Sequence, residues 1–133
     1  MKILFVCKHN RFRSKIAEAF FNEFNKNKKN VAKSAGIIRG SSLDNRIVSI
    51  AKKLKLTIVG KPTELSTDLL RWQDITIVVA DNVPPSIFTS SKNYFKKVIV
   101  WKIPDTESKN TKRVNEIISQ IETKMRNFVD KLE

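Results

Sequence analysis

The sequence predicts an α/β fold in which a four-stranded parallel sheet is flanked by helices on both faces. Four short, largely apolar runs at 3–6, 31–35, 75–79 and 98–101 have the hydrophobic character of strands that are buried on both sides. Helix-like stretches separate these runs, and this alternation is typical of a parallel sheet. The length of 133 residues matches about one domain, so we expect a single domain over 1–133.

The first half of the chain alternates as this fold requires. Apolar residues at helical spacing predict a helix over 14–26, and a polar loop over 25–30 precedes the second strand. A loop over 36–42 leads to a second helix, for which Ser42 or Asp44 is the expected N-cap. The apolar residues of the two helices are Ile16, Ala17, Phe20, Phe21 and Phe24 in the first, and Ile47, Val48, Ile50, Ala51 and Leu54 in the second.

A short extended piece is expected over 57–59, because a turn-forming glycine and proline follow at 60–62. Ser66 or Thr67 then caps a short helix that carries Leu69, Leu70 and Trp72 and leads to the third strand.

The last part of the chain contains two further helices around the fourth strand. Pro84-Pro85 is expected to open a short helix, since proline is tolerated in a first turn. The helix after the fourth strand is the clearest in the chain, because its apolar residues form one stripe opposite Lys, Glu and Asn. These residues are Val114, Ile117, Ile118, Ile121, Met125, Phe128, Val129 and Leu132.

The segment between the first strand and the first helix predicts an anion-binding loop that contains a nucleophile. The first backbone N–H groups of a helix lack partners within the helix, and together with the helix dipole they attract an anion. Arg13 can bind two oxygens of such an anion at once, and Lys8 and Arg11 add positive charge nearby. Because cysteines in such surroundings ionise readily, we expect Cys7 to be a thiolate that faces the bound anion.

Composition limits the class of protein. A single cysteine excludes a disulfide within the chain and fits a reducing compartment. The sequence shows neither a bilayer-spanning apolar stretch nor a signal peptide, so we expect a cytoplasmic protein without a membrane partner. The net charge of +13 permits nucleic acid as a partner, but the lysines are spread over the whole length, which favours a solvated basic surface. Clustered metal ligands are absent from the sequence.

Cys7, Asn10, Arg13 and Ser14, spaced as they are after the first strand, resemble the signature of the low-molecular-weight protein tyrosine phosphatases and the related arsenate reductases. The resemblance implies a flavodoxin-like three-layer sandwich. It also implies a cysteine-dependent phosphatase that hydrolyses phosphomonoesters, in particular phosphotyrosine in proteins, through a phosphocysteine intermediate. The expected partner is therefore a phosphorylated protein or a small phosphate ester, with no cofactor and no metal.

The same resemblance implies roles for individual residues. Cys7 would be the nucleophile, Arg13 would hold the phosphate, and Asp105, on the loop after the fourth strand, would be the general acid. Ser34 would help to hold Asn10, and with Ser14 these two would support the loop. The phosphate-binding residues would be those of the loop as a whole: Lys8, His9, Asn10, Arg11, Phe12, Arg13 and Ser14.

The chain departs from the family pattern at several positions. His9 stands where glycine is usual, which predicts strain if the loop needs a positive φ there. Lys15 and Thr106 both replace an expected proline. Two alternatives therefore stay open. The first is a phosphate- or nucleic-acid-binding module of the same fold with impaired catalysis. The second is an arsenate reductase, which would need an external thiol because Cys7 is the only cysteine. The sequence makes no prediction of oligomeric state.

Overall fold

The structure is a computed structural model that describes residues 1–84, 86–89 and 96–132. It contains four strands, β1 (Lys2–Cys7), β2 (Val31–Gly36), β3 (Ile75–Val79) and β4 (Val98–Trp101). Its helices are α1 (Arg13–Phe24), α2 (Asn45–Lys53), α3 (Thr67–Trp72), α4 (Ser86–Thr89) and α5 (Thr111–Leu132). One or two helices separate each strand from the next along the chain, as the hydrophobic pattern predicts.

The four strands form one parallel sheet in the order β2-β1-β3-β4. Cys7, the last residue of β1, lies opposite Gly36, the last residue of β2. The order of the strands reverses at β1, because the chain passes from β1 to one side of the sheet and later returns to the other. The loops after β1 and β3 therefore diverge at the carboxyl edge, which is where open α/β sheets bind ligands.

The sheet separates two apolar layers, because alternate residues of β1 point to opposite faces. Ile3 and Phe5 pack with α1, α2 and α5, while Leu4 and Val6 pack with residues of α3 and α4. The Phe5 ring contacts Phe21 of α1 and Trp101 of β4. The three-layer α/β arrangement predicted from the sequence is confirmed.

The caps of α2 and α3 resolve the choices that the sequence leaves open. The Asp44 carboxylate accepts a hydrogen bond from the Arg46 backbone N–H, and the Ser66 hydroxyl accepts one from Leu69 N–H.

Helix α1 ends at Phe24, two residues before the expected end at 26. The expected piece at 57–59 has no strand pairing, and a single parallel bridge joins Gly36 to Glu64 a few residues later. Pro85, which was expected to help open α4, lies outside the described residues.

Gly36 allows the loop after β1 to lie directly against the end of β2. A Cβ atom at this position would lie 2.7 Å from the His9 carbonyl carbon, 2.8 Å from Asn10 N and 2.9 Å from Ile38 O, all of which are backbone atoms. The Gly36 N–H also donates to Thr63 O at 2.8 Å, and its carbonyl accepts from Leu65 N–H at 2.8 Å. The glycine therefore joins three segments at the carboxyl edge of the sheet.

We expect Gly36→Ala to lower the free energy of unfolding by about 3 kcal/mol, because backbone atoms of a close-packed loop cannot move aside cheaply. Gly60→Ala is the matched control. Its φ of +68° is strained for alanine, but its Cβ would meet only the Lys15 Nζ atom, at 3.9 Å, and we expect a cost of about 1 kcal/mol. Urea unfolding measures the free energy of unfolding of both variants, and an equal loss in the two would contradict the prediction.

Candidate active site

A tight turn at Asn10 shapes the loop between β1 and α1. Asn10 has a φ of 56°, a left-handed conformation that asparagine tolerates better than most residues. His9 is not among the described residues with a positive φ, so the condition under which strain was expected there is not met. The turn falls one residue later than the glycine of the family pattern suggests.

Two groups of the loop and helix hold the Cys7 sulfur. The Ser14 Oγ atom lies 2.9 Å from Cys7 Sγ, and the Asn10 backbone N–H donates to the same sulfur at 3.3 Å. Ser14 and Asn10 are fully buried, whereas Cys7 retains a small exposed area. The loop and the first turn of α1 thus both contact the sulfur.

The Asn10 side chain holds the turn from behind. Its Nδ2 donates to Ser14 Oγ at 2.7 Å, and its Oδ1 accepts from the Thr63 backbone N–H at 2.9 Å. The expected contact between Ser34 and Asn10 is wrong, since the Ser34 hydroxyl donates to Glu18 Oε1 at 2.6 Å instead. Thr63 supplies the support expected of Ser34, because its N–H donates to Asn10 while its carbonyl accepts from Gly36 N–H at the end of β2.

The N-terminus of α1 is open to an anion. Its N-cap residue, Phe12, makes no side-chain cap, and the first turn contains no acidic residue. By contrast, side chains cap α2 and α3. The unpaired N–H groups and the positive end of the helix dipole are therefore left for a ligand.

Arg13, the first residue of α1, reaches the loops that follow β3 and β4. Its guanidinium is 2% exposed and donates to the Ile103 carbonyl at 2.8 Å and to Asn82 Oδ1 at 2.9 Å. Two half-exposed carboxylates lie slightly farther away, Asp81 at 3.8 Å and Asp105 at 3.6 Å. Arg13 thus links the β1 loop to the two neighbouring loops, and these contacts fix the plane of its donors.

Asp105 is the carboxylate of this group that lines the same cleft as Cys7. Its Oδ1 accepts from the Thr106 backbone N–H at 2.9 Å. The proline of the family pattern has no N–H and could not make this bond. The departure at Thr106 therefore adds a contact that orients the carboxylate.

The cleft has a volume of about 310 Å³ and mixes acidic, basic and apolar side chains. Lys8, Asn10 and Ser14 are not in its lining, so the buried Asn10 and Ser14 support the loop from behind. The described residues that line the cleft are Cys7, His9, Arg11, Phe12, Arg13, Asp44, Ile47, Asp105, Thr106, Glu107 and Ser108.

Asp44 connects α2 to the loop that carries Asp105. A hydrogen bond from the Ser108 side chain lowers the pKa of Asp44 from its ordinary value, and the Arg46 N–H and the Arg11 charge act in the same direction. Nothing in the sequence indicated the pairing of Asp44 with Ser108, or that of Thr63 with Asn10, because both join residues that are far apart in the chain.

Within the described ranges, no group of three or more His, Cys, Asp or Glu residues is placed to hold a metal ion. In the same part of the chain, no helix is both long enough and apolar enough to cross a membrane.

Comparison with known proteins identifies one family over the chain. The sequence model described as low molecular weight phosphotyrosine protein phosphatase matches residues 2–133. No curated protein matches the sequence significantly.

Solved structures with this fold include enzymes of several specificities. A low molecular weight protein tyrosine phosphatase from T. tengcongensis is 23% identical with a TM-score of 0.86, and the match covers 98% of this chain and 99% of that one. The YwlE arginine phosphatase from Geobacillus stearothermophilus is 18% identical with a TM-score of 0.82, covering 98% and 92%. An arsenate reductase from Archaeoglobus fulgidus is 24% identical with a TM-score of 0.75, covering 96% and 98%. At these identities the similarity shows the fold alone.

We expect the stability contributed by the charge of Asp44 to disappear in acid. Its folded-state pKa lies below the unfolded value of about 3.9, so the contribution is complete above that value and is lost as the pH falls through the folded pKa. Asp44→Asn keeps a good N-cap but does not titrate. Wild type should therefore exceed Asp44→Asn by up to about 1 kcal/mol at neutral pH and converge with it in acid.

Urea unfolding of both proteins between neutral pH and about pH 3 measures this difference. Asp130→Asn on α5 is the control, because Asp130 is exposed and we expect no comparable pH-dependent difference there. A difference between wild type and Asp44→Asn that stays constant with pH would rule out the prediction.

Proposed function

Because the chain belongs to the low molecular weight phosphotyrosine protein phosphatase family, we propose that it is a cysteine-dependent phosphatase that hydrolyses phosphomonoesters through a phosphocysteine intermediate. Membership in a phosphatase family implies phosphorylated substrates. The finer proposal is that phosphotyrosine in proteins is the substrate. Phe12 and Ile47 in the cleft lining are the apolar surface that would contact its ring.

A single observation supports the proposal most strongly. The open N-terminus of α1, the Cys7 sulfur and the Asp105 carboxylate all meet one cleft, although they come from opposite ends of the chain. Arg13 lines the same cleft and contacts Asp105. A binding module would need the anion cradle but would not need a nucleophile and an acid on two sides of the bound anion.

In the first step the Cys7 thiolate attacks phosphorus. The S–P bond forms while the bond between phosphorus and the ester oxygen breaks, and Asp105 gives its proton to the departing oxygen. Arg13 and the loop N–H groups from about Lys8 to Arg13 hold the equatorial oxygens of the phosphoryl group and neutralise the charge that develops on them. Phosphocysteine, the free alcohol or phenol and an ionised Asp105 result.

In the second step water replaces the sulfur on phosphorus. Asp105 accepts a proton from the attacking water, and Cys7 departs as a thiolate with the electrons of the S–P bond. The Ser14 hydroxyl, 2.9 Å from the sulfur, donates to the departing thiolate and stabilises it. Inorganic phosphate leaves, and Asp105 is protonated again for the next cycle.

The acidic lining of the cleft supports a second candidate substrate. Asp44 and Glu107 lie at the cleft with Asp105, and carboxylates favour a cationic leaving group. Phosphoarginine has such a group, and one protein with this fold is an arginine phosphatase. Arsenate reduction has less support, since it would need a second thiol from outside the chain, whose only cysteine is Cys7.

We expect Asp105→Asn to lower kcat by about 10²- to 10⁴-fold, because the leaving oxygen then departs without a proton. The loss should be larger for phenyl phosphate than for 4-nitrophenyl phosphate, whose leaving group needs protonation less. Steady-state kinetics of both esters measures it, with Cys7→Ser as the inactive reference.

Asp81→Asn is the matched control. Asp81 is as exposed as Asp105, at 46%, and lies at a similar distance from Arg13, but it is not in the cleft lining. We expect its kcat to stay within a few-fold of wild type. Equal losses in the two variants would indicate an effect through Arg13 and would contradict the acid role, and wild type no faster than Cys7→Ser would contradict the phosphatase proposal.

Phosphotyrosine and phosphoarginine can be separated by their dependence on the acidic lining. We expect wild type to hydrolyse a phosphotyrosyl peptide with a higher kcat/KM than free phosphoarginine. We expect Glu107→Gln to change kcat/KM for the phosphotyrosyl peptide by less than about threefold. Phosphate release from both substrates measures the ratio. If wild type instead prefers phosphoarginine, and Glu107→Gln weakens that preference, then phosphoarginine rather than phosphotyrosine is the substrate.

A further inference from the structure

A buried lysine lies directly behind the anion-binding loop. The Lys15 side chain, which follows Ser14 in α1, is 4% exposed. Its Nζ donates to the Val59 carbonyl at 2.7 Å and lies 3.8 Å from Glu18 Oε1. Lysine is rarely buried without a partner, and this position carries proline in the family pattern. The lysine therefore needs an explanation particular to this chain.

The acidic partner is buried as well. Glu18 is 6% exposed, and its Oε1 accepts from the Ser34 hydroxyl at 2.6 Å. Burial raises the pKa of Glu18, while the Ser34 bond and the Lys15 charge oppose that shift. Burial lowers the pKa of Lys15, and the charges of Glu18 and Cys7 oppose it. Apolar replacements of buried ion pairs are often neutral or stabilising, so a gain in stability is a weak explanation for the pair.

The carbonyl that Lys15 holds belongs to a segment, residues 59–65, that supports the loop from behind. The Thr63 N–H donates to Asn10 Oδ1 at 2.9 Å, and the Thr63 carbonyl accepts from Gly36 N–H at 2.8 Å. No helix or strand gives this segment a rigid backbone. The bond from Lys15 to Val59 therefore ties one end of the segment to α1, while Thr63 ties the other end to the turn.

We propose that Lys15 is a positioning residue, whose buried ammonium ties the 59–65 segment to α1 and places positive charge behind the Cys7 thiolate. The inference rests on the proposed function, in which that thiolate is the nucleophile. Through Thr63 and Asn10 the tether reaches the N–H group that holds the sulfur. The charge of Lys15 acts more strongly than that of a surface lysine, because little water lies around it.

The other charged groups around Lys15 are less able to act on Cys7. Glu18 of α1 opposes the effect of Lys15, since its negative charge disfavours a thiolate. Lys33 of β2 and Lys61 of the 59–65 segment line a second cleft, of about 440 Å³, together with Lys15 and Glu18. Both are exposed, and the Lys33 ammonium lies 4.6 Å from the centre of the Trp72 ring. Solvent screens these two charges.

The test compares Lys15→Met, which keeps the unbranched aliphatic part of the side chain but removes the ammonium and its bond to Val59, with Lys61→Met as the matched exposed control. The full-length variants are alkylated at Cys7 by iodoacetamide across a pH series without phosphate. We expect Lys15→Met to react about tenfold more slowly than wild type below neutral pH and at the same rate in alkali, with Lys61→Met within about twofold of wild type. With 4-nitrophenyl phosphate, kcat of Lys15→Met should fall about tenfold.

Glu18→Gln should change the rate of Cys7 alkylation in the opposite direction, so the inference can still be tested if Lys15→Met misfolds. It keeps an acceptor for Ser34, and we expect it to speed alkylation of Cys7 below neutral pH. A merely structural role would lower the melting temperature of Lys15→Met and leave the pH profile of alkylation unchanged, and that result would overturn the inference. Slower alkylation of Glu18→Gln would overturn it too. If wild type fails to hydrolyse the ester, the proposed function fails, while the alkylation profile still decides the role of Lys15.

Discussion

The hydrogen bonds of the Asn10 side chain are the interaction on which the site depends. One side of the amide holds Ser14 at the start of α1, and the other side holds Thr63 in a segment that reaches the loop from behind. With Asn10 held in a left-handed turn, its own backbone N–H points at the Cys7 sulfur. Fully buried polar groups with complete partners are costly to rearrange, so this clamp gives the anion-binding loop one shape.

The sheet places the other residues of the site next to the Asn10 clamp. All the strands are parallel, so the loops after β1, β3 and β4 lie at one edge of the sheet although they are distant in sequence. Arg13 spans this edge through Ile103 and Asn82 and lies between two carboxylates. A guanidinium offers planar, paired donors that match the oxygens of a phosphate, and these contacts hold its plane in place. Preorganisation of this kind reduces the reorganisation needed during phosphoryl transfer.

Charge in this protein is arranged on two scales. The net charge of +13 is spread over the surface, where water and salt screen it. Close to the loop, two buried cations lie next to carboxylates: Arg13 lies near Asp81 and Asp105, and Lys15 lies near Glu18. Buried charges act over short distances with little screening. The excess of surface lysines therefore says less about the chemistry than these two buried cations do.

The fold and the position of the loop between β1 and α1 could be predicted from the sequence, because both depend on local information. Apolar runs mark β1 and β3, the long apolar stripe marks α5, and the spacing of Cys7, Asn10, Arg13 and Ser14 marks the loop. Only the tertiary structure decided how the loop is supported. The partner of Asn10 is Thr63 rather than Ser34, and Ser34 serves Glu18 instead. The left-handed turn lies at Asn10 rather than His9. Thr63 binds Asn10 through its backbone N–H, a group that every residue carries, and the side chains of Ser34 and Glu18 lie on different elements, so no local pattern in the sequence could reveal either pairing.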